Sequence, residues 1–260
     1  MKHMICDMHV HTKYSCDSDT ELECYCLEAI KKGVNTICFT DHIDYNANDI
    51  GRGYYKANEF FNNFWYLKEK YEAELTLLCG IEFSEPHLHQ AQLAEYAKLP
   101  YDYILGSVHF WYKDMFPTQM IEAKIPVEVC YKHYWDEVLS AVKAGGFDVI
   151  AHLDFPKRYY GELQFDTEIL HEICREMVKN NICLEINTSS LRRNSTGSMP
   201  DREILSIYKS CSGKYVTIGS DAHNPRDLAA DIAYAKNLID YFGFTEIYFK
   251  RRRRYETVSI

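Results

Sequence analysis

The sequence predicts an α/β protein built as a closed or nearly closed barrel of parallel β/α units. Three observations support this prediction. Short apolar runs alternate with longer amphipathic stretches from one end of the chain to the other. Glycines mark the joints between the two kinds of segment, as at Gly33, Gly80, Gly145 and Gly146. Histidines and carboxylates recur where apolar runs stop, which is where a parallel barrel carries its active-site loops.

Seven β/α units can be counted along the chain, one fewer than in the common eightfold barrel. The apolar runs predict strands near residues 4–10, 36–41, 76–82, 103–109, 148–153, 182–187 and 215–220. The amphipathic stretches predict helices near residues 20–32, 57–74, 88–98, 126–144, 167–180, 200–211 and 226–242. No low-complexity linker or internal repeat divides the chain, so residues 1–260 are expected to form a single domain.

Composition limits the classes of partner. The formal net charge of -9 argues against nucleic acid, because a phosphate backbone attracts basic surfaces. No signal peptide and no apolar run of about 18 residues is recognisable, so a membrane span is not expected. A small phosphorylated substrate is compatible with the charge if a few arginines hold it. The oligomeric state stays open.

The ten cysteines are expected to be free thiols. Cys6, Cys38, Cys79 and Cys183 fall inside predicted buried strands, where free cysteine behaves as a small hydrophobe. No CxxC pair occurs, and no cysteine joins the candidate ligands at a strand end. A reduced, cytoplasmic enzyme is therefore expected.

Nine side chains of metal-binding type fall at or just after predicted strand ends. They are His9, His11, Asp17, His42, Glu82, His109, His152, Asp221 and His223. Side chains alternate along a strand, so His9 and His11 are expected to project from one face. Parallel strand ends meet at the C-terminal rim of a barrel, where the whole set would converge. A lone histidine is more often a packed residue, but this set predicts a metal site.

The ligand types restrict the metal and the chemistry. Six imidazoles and three carboxylates exceed what one ion can use, so two or three divalent ions are expected. Nitrogen-rich sites suit Zn, Mn or Fe better than Mg or Ca. Carboxylates can bridge two ions, and Glu82 and Asp221 are the candidates. Together with His223 they are the predicted catalytic residues of a metal-assisted hydrolase.

The same residues resemble a known family. DMHVH at 7–11, TDH at 40–42, GIE at 80–82 and DAH at 221–223 resemble the polymerase and histidinol phosphatase (PHP) family over about residues 5 to 230. GSVH at 106–109 and AHLD at 151–154, followed by Arg158, are most similar to its monofunctional histidinol-phosphate phosphatases. The resemblance implies a distorted seven-stranded, TIM-barrel-like fold with a trinuclear metal site. It also implies release of phosphate from L-histidinol phosphate in histidine biosynthesis.

The resemblance further implies how the ligands are shared among three ions. Position by position, the first ion takes His9, His11, Glu82 and Asp221. Glu82 bridges to a second ion held by His109 and His152, and a third takes Asp17, His42 and His223. The sequence departs from the family at Asp17, where many relatives have histidine.

The expected reaction is in-line attack of metal-acidified water on phosphorus, without a covalent phosphoenzyme. Arg158 and Arg192, in predicted rim loops, are candidates for binding phosphate because a guanidinium matches phosphate oxygens geometrically. Asp41 and Asp154 stand beside ligands and are candidates for orienting imidazoles. Candidates for a wall beside the organic part of the substrate are Tyr14, Phe110, Trp111 and Tyr112.

Two other functions stay open. One is a PHP phosphatase or phosphoesterase with another substrate, such as phosphotyrosine or a nucleotide. The other is a noncatalytic metal-stabilised module, which the complete ligand set disfavours. A second His-x-His pair, His87 and His89, lies at a predicted helix start, where a metal role is not expected. The cationic run KRRRR at 250–254 is interpreted as a solvated tail or the end of a last strand.

Overall fold

A computed structural model describes residues 4–193 and 197–257 and has the predicted α/β class. Within these residues, nine strands form one sheet in which neighbours along the chain are neighbours in space. Adjacent strands are parallel from the first to the eighth, and the last pair is antiparallel. The strands are β1 (Cys6–Val10), β2 (Thr36–Ile43), β3 (Thr76–Ser84), β4 (Tyr103–Ser107), β5 (Val149–Ile150), β6 (Cys183–Asn187), β7 (Tyr215–Gly219), β8 (Thr245–Lys250) and β9 (Arg253–Glu256).

The helices of the described residues lie between these strands. They are α1 (Leu22–Lys32), α2 (Ala57–Lys70), α3 (Gln90–Tyr96), α4 (Pro117–Glu122), α5 (Val127–Ala144), α6 (Lys157–Tyr160), α7 (Thr167–Lys179), α8 (Arg202–Ser210) and α9 (Ile232–Phe242). All seven predicted helices are present, although α9 begins later than predicted, after a 3-10 turn at Pro225–Asp227. Sequence analysis does not predict α4 and α6, because six and four residues are too few to show a helical repeat.

The first and seventh strands meet at the C-terminal rim. The amide of Asp221 donates to the carbonyl of His9 (2.8 Å), and the amide of His11 donates to the carbonyl of Ala222 (2.9 Å). A β-bridge between Val10 and Ala222 accompanies these bonds. The seven strands therefore form the predicted distorted barrel, and the bonds between β1 and the residues after β7 fix the rim where the candidate ligands stand.

Apolar residues form two clusters, one on each face of the sheet. Ile37 and Phe39 pack in the larger cluster under the helices, whereas Cys38, which points the other way, belongs to the smaller inner cluster. Ile247 and Phe249 of β8 also pack in the inner cluster. The eighth strand thus helps to fill the barrel interior at the end opposite the rim.

The C-terminal cations belong to the hairpin of β8 and β9. Lys250 is the last residue of β8, and Arg253 is the first of β9. In the turn between them, the amide of Arg251 donates to Asp102 Oδ1 (2.9 Å). The run therefore ends one strand and begins another, while the sequence analysis, which counts seven strands, misses both β8 and β9.

The cysteines are free, as predicted. Cys6, Cys38, Cys79 and Cys183 are buried in strands. Burial raises the pKa of the Cys183 thiol to about 11, which keeps the thiol protonated and unreactive near neutral pH. Among the described residues, no helix has both the length and the apolar character needed to cross a membrane.

Candidate metal centre

Glu82, at the end of β3, lies at the middle of the converging ligands. Its Oε2 atom lies 3.1 Å from His9 Nε2 and 3.3 Å from His11 Nε2. Its Oε1 atom lies 3.0 Å from His152 Nε2 and 3.3 Å from His109 Nε2. Each carboxylate oxygen therefore faces a different pair of histidines, which is the arrangement of a carboxylate able to bridge two cations.

Asp221 completes a group with the first histidine pair. The Nε2 atoms of His9 and His11 are 2.9 Å apart, and Asp221 Oδ1 lies 3.8 Å from the first and 3.4 Å from the second. Their donor atoms all lie within 4.8 Å of one another, close enough to share one metal ion. Asp221 has a φ of 54°, a left-handed conformation that places its side chain beside both histidines.

A second group stands at the outer edge of the rim. His223 Nε2 lies 3.0 Å from Asp17 Oδ2, and His42 Nε2 lies 3.6 Å from the same oxygen. His11 also belongs to this group, so its imidazole stands between the two groups. His42 Nδ1 lies 3.3 Å from Glu82 Oε2, which connects the outer group to the central carboxylate. The structure therefore brings together all nine predicted ligands.

A serine determines the tautomer of His11. Ser15 Oγ donates its single proton to Asp41 Oδ1 (2.7 Å), so the Ser15 oxygen is left to accept from His11 Nδ1 (3.1 Å). The Nε2 atom of His11 then carries a lone pair. Asp41, a predicted orienting residue, thus acts on the imidazole through Ser15 and also accepts from the hydroxyl of Thr12 (2.8 Å).

His109 is fixed in the same way on the other side of the centre. Ser84 Oγ donates to Asp44 Oδ1 (2.6 Å) and therefore accepts from His109 Nδ1 (3.1 Å). Glu85 holds the backbone next to it, because its Oε1 accepts from the amides of His109 (2.7 Å) and Phe110 (3.0 Å). Sequence analysis misses the serines, since a serine near a strand end carries no pattern of its own.

The electrostatics of the cluster fit a divalent cation. The Nε2 lone pairs face Glu82 oxygens that are themselves acceptors, and two acceptors about 3 Å apart repel unless a proton or cation lies between them. Burial would lower the pKa of His9, but Glu185, Glu82 and Asp221 raise it well above its usual range. Burial would raise the pKa of Glu82, but neighbouring imidazoles, His42 first, hold it well below its usual range. The cluster therefore favours added positive charge.

A cavity of about 510 Å³ opens above the ligands. Glu82, Asp221 and His223 all line it. One part of its wall is cationic and aromatic, and another part is acidic. The cationic and aromatic part consists of Arg158, Arg193, Phe110, Phe116, Phe155 and Tyr159, and the acidic part includes Asp44 and Asp49.

The two predicted phosphate-binding arginines differ in position. Arg158 lines the cavity, and its Nη2 lies 2.5 Å from Asp221 Oδ2 and 2.7 Å from Ser189 Oγ. Arg192 instead donates through Nη2 to the carbonyl of Ser220 (2.5 Å). Its neighbour Arg193 lines the cavity. Sequence alone does not separate these neighbours, because both lie in a 3-10 turn after β6.

Most of the other predicted contacts lie elsewhere. Asp154 accepts from the amide of Asp201 (3.0 Å) and lies 3.4 Å from Lys157 Nζ, so it holds the loop after β5. Of the four predicted wall residues, Phe110 lines the cavity. Trp111 is buried and donates to the carbonyl of Cys130 (2.9 Å). Tyr14 packs edge-on against Phe60, Tyr112 packs on His133, and His87 pairs with Glu137.

The barrel with imidazoles and carboxylates converging at its C-terminal rim defines the class, an α/β-barrel protein with a metal-binding site. The chain belongs to the PHP family, because the model of the PHP domain matches residues 7–189. The matched segment contains seven of the nine converging ligands, and Asp221 and His223 follow it.

Similar proteins extend over nearly the whole chain. A probable histidinol-phosphatase from Thermotoga maritima is 27% identical over 239 residues, covering 92% of each chain. A histidinol-phosphatase from Lactococcus lactis is 27% identical over 253 residues, covering 93% of this chain and 92% of that one. A crystal structure of histidinol phosphate phosphatase from Lactococcus lactis, complexed with Zn, L-histidinol and phosphate, has a TM-score of 0.82 at 24% identity. That alignment covers 96% of this chain and 98% of the other, so the two share a fold.

Proposed function

We propose that this protein is a metal-dependent phosphomonoesterase that hydrolyses L-histidinol phosphate to L-histidinol and phosphate. The observation that carries the proposal is Glu82, whose two oxygens each face a pair of histidines beneath a cavity that Arg158 also lines. Relatives named histidinol-phosphatases, which align over more than 90% of the chain, support the choice of substrate.

The proposed cofactor is a set of two or three divalent ions, Zn, Mn or Fe. His9, His11, Glu82 and Asp221 would hold the first ion, and Glu82 with His109 and His152 the second. Asp17, His42 and His223 would hold the third. When bound, such ions lower the pKa of water and neutralise phosphoryl charge. Glu82, Asp221 and His223 are the proposed catalytic residues, because they line the cavity and belong to the ligand groups.

Arg158 is the proposed phosphate-binding side chain. Its guanidinium is almost fully buried and lies against the Asp221 carboxylate and the Ser189 hydroxyl, so its position is set before a substrate arrives. It also lies over the ring of Phe155, with 5.1 Å between its Cζ atom and the ring centre. A planar guanidinium held in this way can offer two N–H groups to phosphoryl oxygens. We infer the same role for Arg193, and Arg192 stays a candidate from sequence.

The acidic part of the cavity wall suits a cationic leaving group. Within the described residues, neither Asp44 nor Asp49 forms an ion pair with a lysine or arginine, although both line the cavity. L-Histidinol carries an amino group that is protonated at neutral pH, and an imidazole ring that the aromatic wall can cover. The wall therefore complements both ends of an amino-bearing phosphate ester.

The test is phosphate release by purified, metal-loaded protein from a panel of phosphate esters. The panel contains L-histidinol phosphate, p-nitrophenyl phosphate, a nucleoside monophosphate and a phosphotyrosyl peptide. The proposal predicts the highest kcat/KM for L-histidinol phosphate. Preference for the peptide or the nucleotide would overturn the substrate and favour another PHP phosphatase. No hydrolysis of any ester by metal-loaded protein would favour a noncatalytic metal-stabilised module.

A further inference from the structure

The buried carboxylate of Glu185, in β6, contacts two proposed ligands from different groups. We infer that Glu185 is a positioning residue that fixes the tautomer of His9 and the position of His152. The inference rests on the proposed metal-dependent function. Glu185 is not among the nine ligands predicted from the sequence.

Three donors hold the Glu185 carboxylate. His9 Nδ1 lies 2.6 Å from Oε1, while the amide of His152 (2.8 Å) and the side-chain amide of Asn187 (3.1 Å) both donate to Oε2. The residue is fully buried. A carboxylate accepts but does not donate, so the single ring hydrogen of neutral His9, the form that binds a metal, must sit on Nδ1. His9 Nε2 is then left with a lone pair, 3.1 Å from Glu82 Oε2.

The second contact acts on backbone conformation. His152 has a φ of 22°, a positive value that residues other than glycine rarely adopt. Its amide is held by Glu185 Oε2, and its Nε2 reaches Glu82 Oε1 at 3.0 Å. One carboxylate thus holds a ligand ring from the first group and the backbone of a ligand in the second. The relative position of the two groups depends on it.

Gly219, the last residue of β7, leaves the space that this arrangement needs. A Cβ atom at this position would overlap Glu185 Oε1 and would press on the Cβ of His9. The φ of Gly219 is not positive, so the requirement is for space and not for an unusual backbone conformation. Gly219→Ala would displace both the Glu185 carboxylate and His9 without changing the charge of either, so it tests the space that their contact needs.

The geometry predicts how an amide at position 185 would behave. In Glu185→Gln, the side-chain oxygen would take the Oε2 position, because two N–H donors point there. The side-chain NH2 group of the glutamine would then face His9 Nδ1. Two N–H donors would face each other if Nδ1 kept its hydrogen, and they would repel. The favoured tautomer of His9 would carry its hydrogen on Nε2. A ring nitrogen that carries a hydrogen has no lone pair for a metal, so Nε2 could not be a ligand. The substitution is isosteric and keeps the bond to the backbone of His152, so the fold is expected to survive.

The experiment measures Zn²⁺ binding by equilibrium dialysis, using wild type, Glu185→Gln, Gly219→Ala and the control Glu137→Gln. Glu137, on α5, contacts the imidazole of His87 (2.6 Å) outside the proposed ligand groups, so its substitution makes the same chemical change away from the centre. We expect Glu185→Gln and Gly219→Ala to bind Zn²⁺ about 10- to 100-fold more weakly, and Glu137→Gln to bind like wild type. Circular dichroism checks that each variant is folded.

A second measurement needs no variant. In the Zn²⁺-loaded wild-type protein, ¹⁵N NMR of the histidine rings should show an exchange-protected hydrogen on Nδ1 of His9. A hydrogen on Nε2 instead would overturn the inference, as would wild-type Zn²⁺ affinity in folded Glu185→Gln. If the wild-type protein itself bound none of Zn²⁺, Mn²⁺ and Fe²⁺, the proposed function would fail. Equal Zn²⁺ binding by the wild-type protein and folded Glu185→Gln would instead overturn only the role of Glu185.

Discussion

Glu82 is the residue on which the centre depends most directly, because both of its oxygens contact histidines. Its sequence signal was available: a lone glutamate at the end of an apolar run, in GIE at 80–82. The positions of its partners also follow from strand ends. The sequence does not show which residues contact the far side of the ligand imidazoles, such as Ser15, Ser84 and Glu185. Those contacts depend on which loops and strands meet at the rim.

Glu82→Ala is expected to abolish turnover. The change removes the carboxylate shared by the two histidine pairs and leaves four buried imidazoles without their common partner. Phosphate release should fall by at least about 10³-fold, and bound metal should fall by at least one equivalent per chain. Near-normal activity in this variant would contradict the mechanism. Asp102→Asn, a buried carboxylate that holds the Arg251 amide in the C-terminal hairpin turn, is the control for general destabilisation.

Arg158→Lys tests the phosphate-binding role. Lysine keeps the charge but loses the planar fork, and it cannot contact Asp221 and Ser189 in the same way. We expect kcat/KM to fall about 100-fold for every phosphate ester, because the interaction is with the phosphoryl group. Steady-state kinetics check this, with Arg202→Lys on α8 as the control. An effect confined to one ester would point to a contact with the leaving group instead.

Asp49→Asn tests the acidic wall. Asparagine can still accept from the amide of Gly51, which Asp49 Oδ1 does at 2.7 Å, so the loop should keep its shape. Wild type is expected to prefer L-histidinol phosphate over its N-acetyl derivative, which lacks the ammonium charge. The variant should lose about tenfold in kcat/KM for the free amine, about 1.4 kcal/mol, and little for the derivative.

Asp114→Asn is the matched control for Asp49→Asn. Asp114 is an exposed acid in the neighbouring loop, and its carbonyl accepts from Asn48 (3.0 Å). Its substitution removes the same charge without changing the cavity lining. An equal loss in both variants would indicate long-range electrostatics and would contradict direct contact by Asp49.

At the scale of elements, the strands carry most of what could be predicted. Their period-two and apolar patterns are local, so all seven predicted strands are found. β8 and β9 are missed because β9 consists of four exposed residues and β8 mixes polar with apolar side chains. The rim loops are also missed in detail, since the choice between Arg192 and Arg193 depends on the geometry of one 3-10 turn.

The whole molecule should be stabilised by metal, and more so at high pH. In the chelated protein, the raised pKa values of His9 and His42 mean that protonation stabilises the fold, despite the opposing effect of burial. That contribution is full below the unfolded pKa of about 6.5 and is lost as pH rises through the folded values. A bound cation replaces these protons and balances the negative charge of the carboxylates in their place.

The expected result is a difference in melting temperature between metal-loaded and chelated protein that widens from pH 6 to pH 9. Differential scanning calorimetry with and without a chelator measures it. The lowered pKa values of Glu82 and Asp221 act in the opposite direction, since their contribution is lost only as pH falls below their unfolded values near 4. A difference that narrows with rising pH would contradict this linkage between protons and metal.

The most direct test of the central claim combines metal content and turnover in one sample. Purified protein is stripped with a chelator, reloaded with Zn²⁺ or Mn²⁺ in steps, and assayed for phosphate release from L-histidinol phosphate at each step. The account predicts no turnover in the stripped protein and activity that rises to a plateau at two or three equivalents per chain. Full turnover without metal, or full loading without turnover, would contradict it.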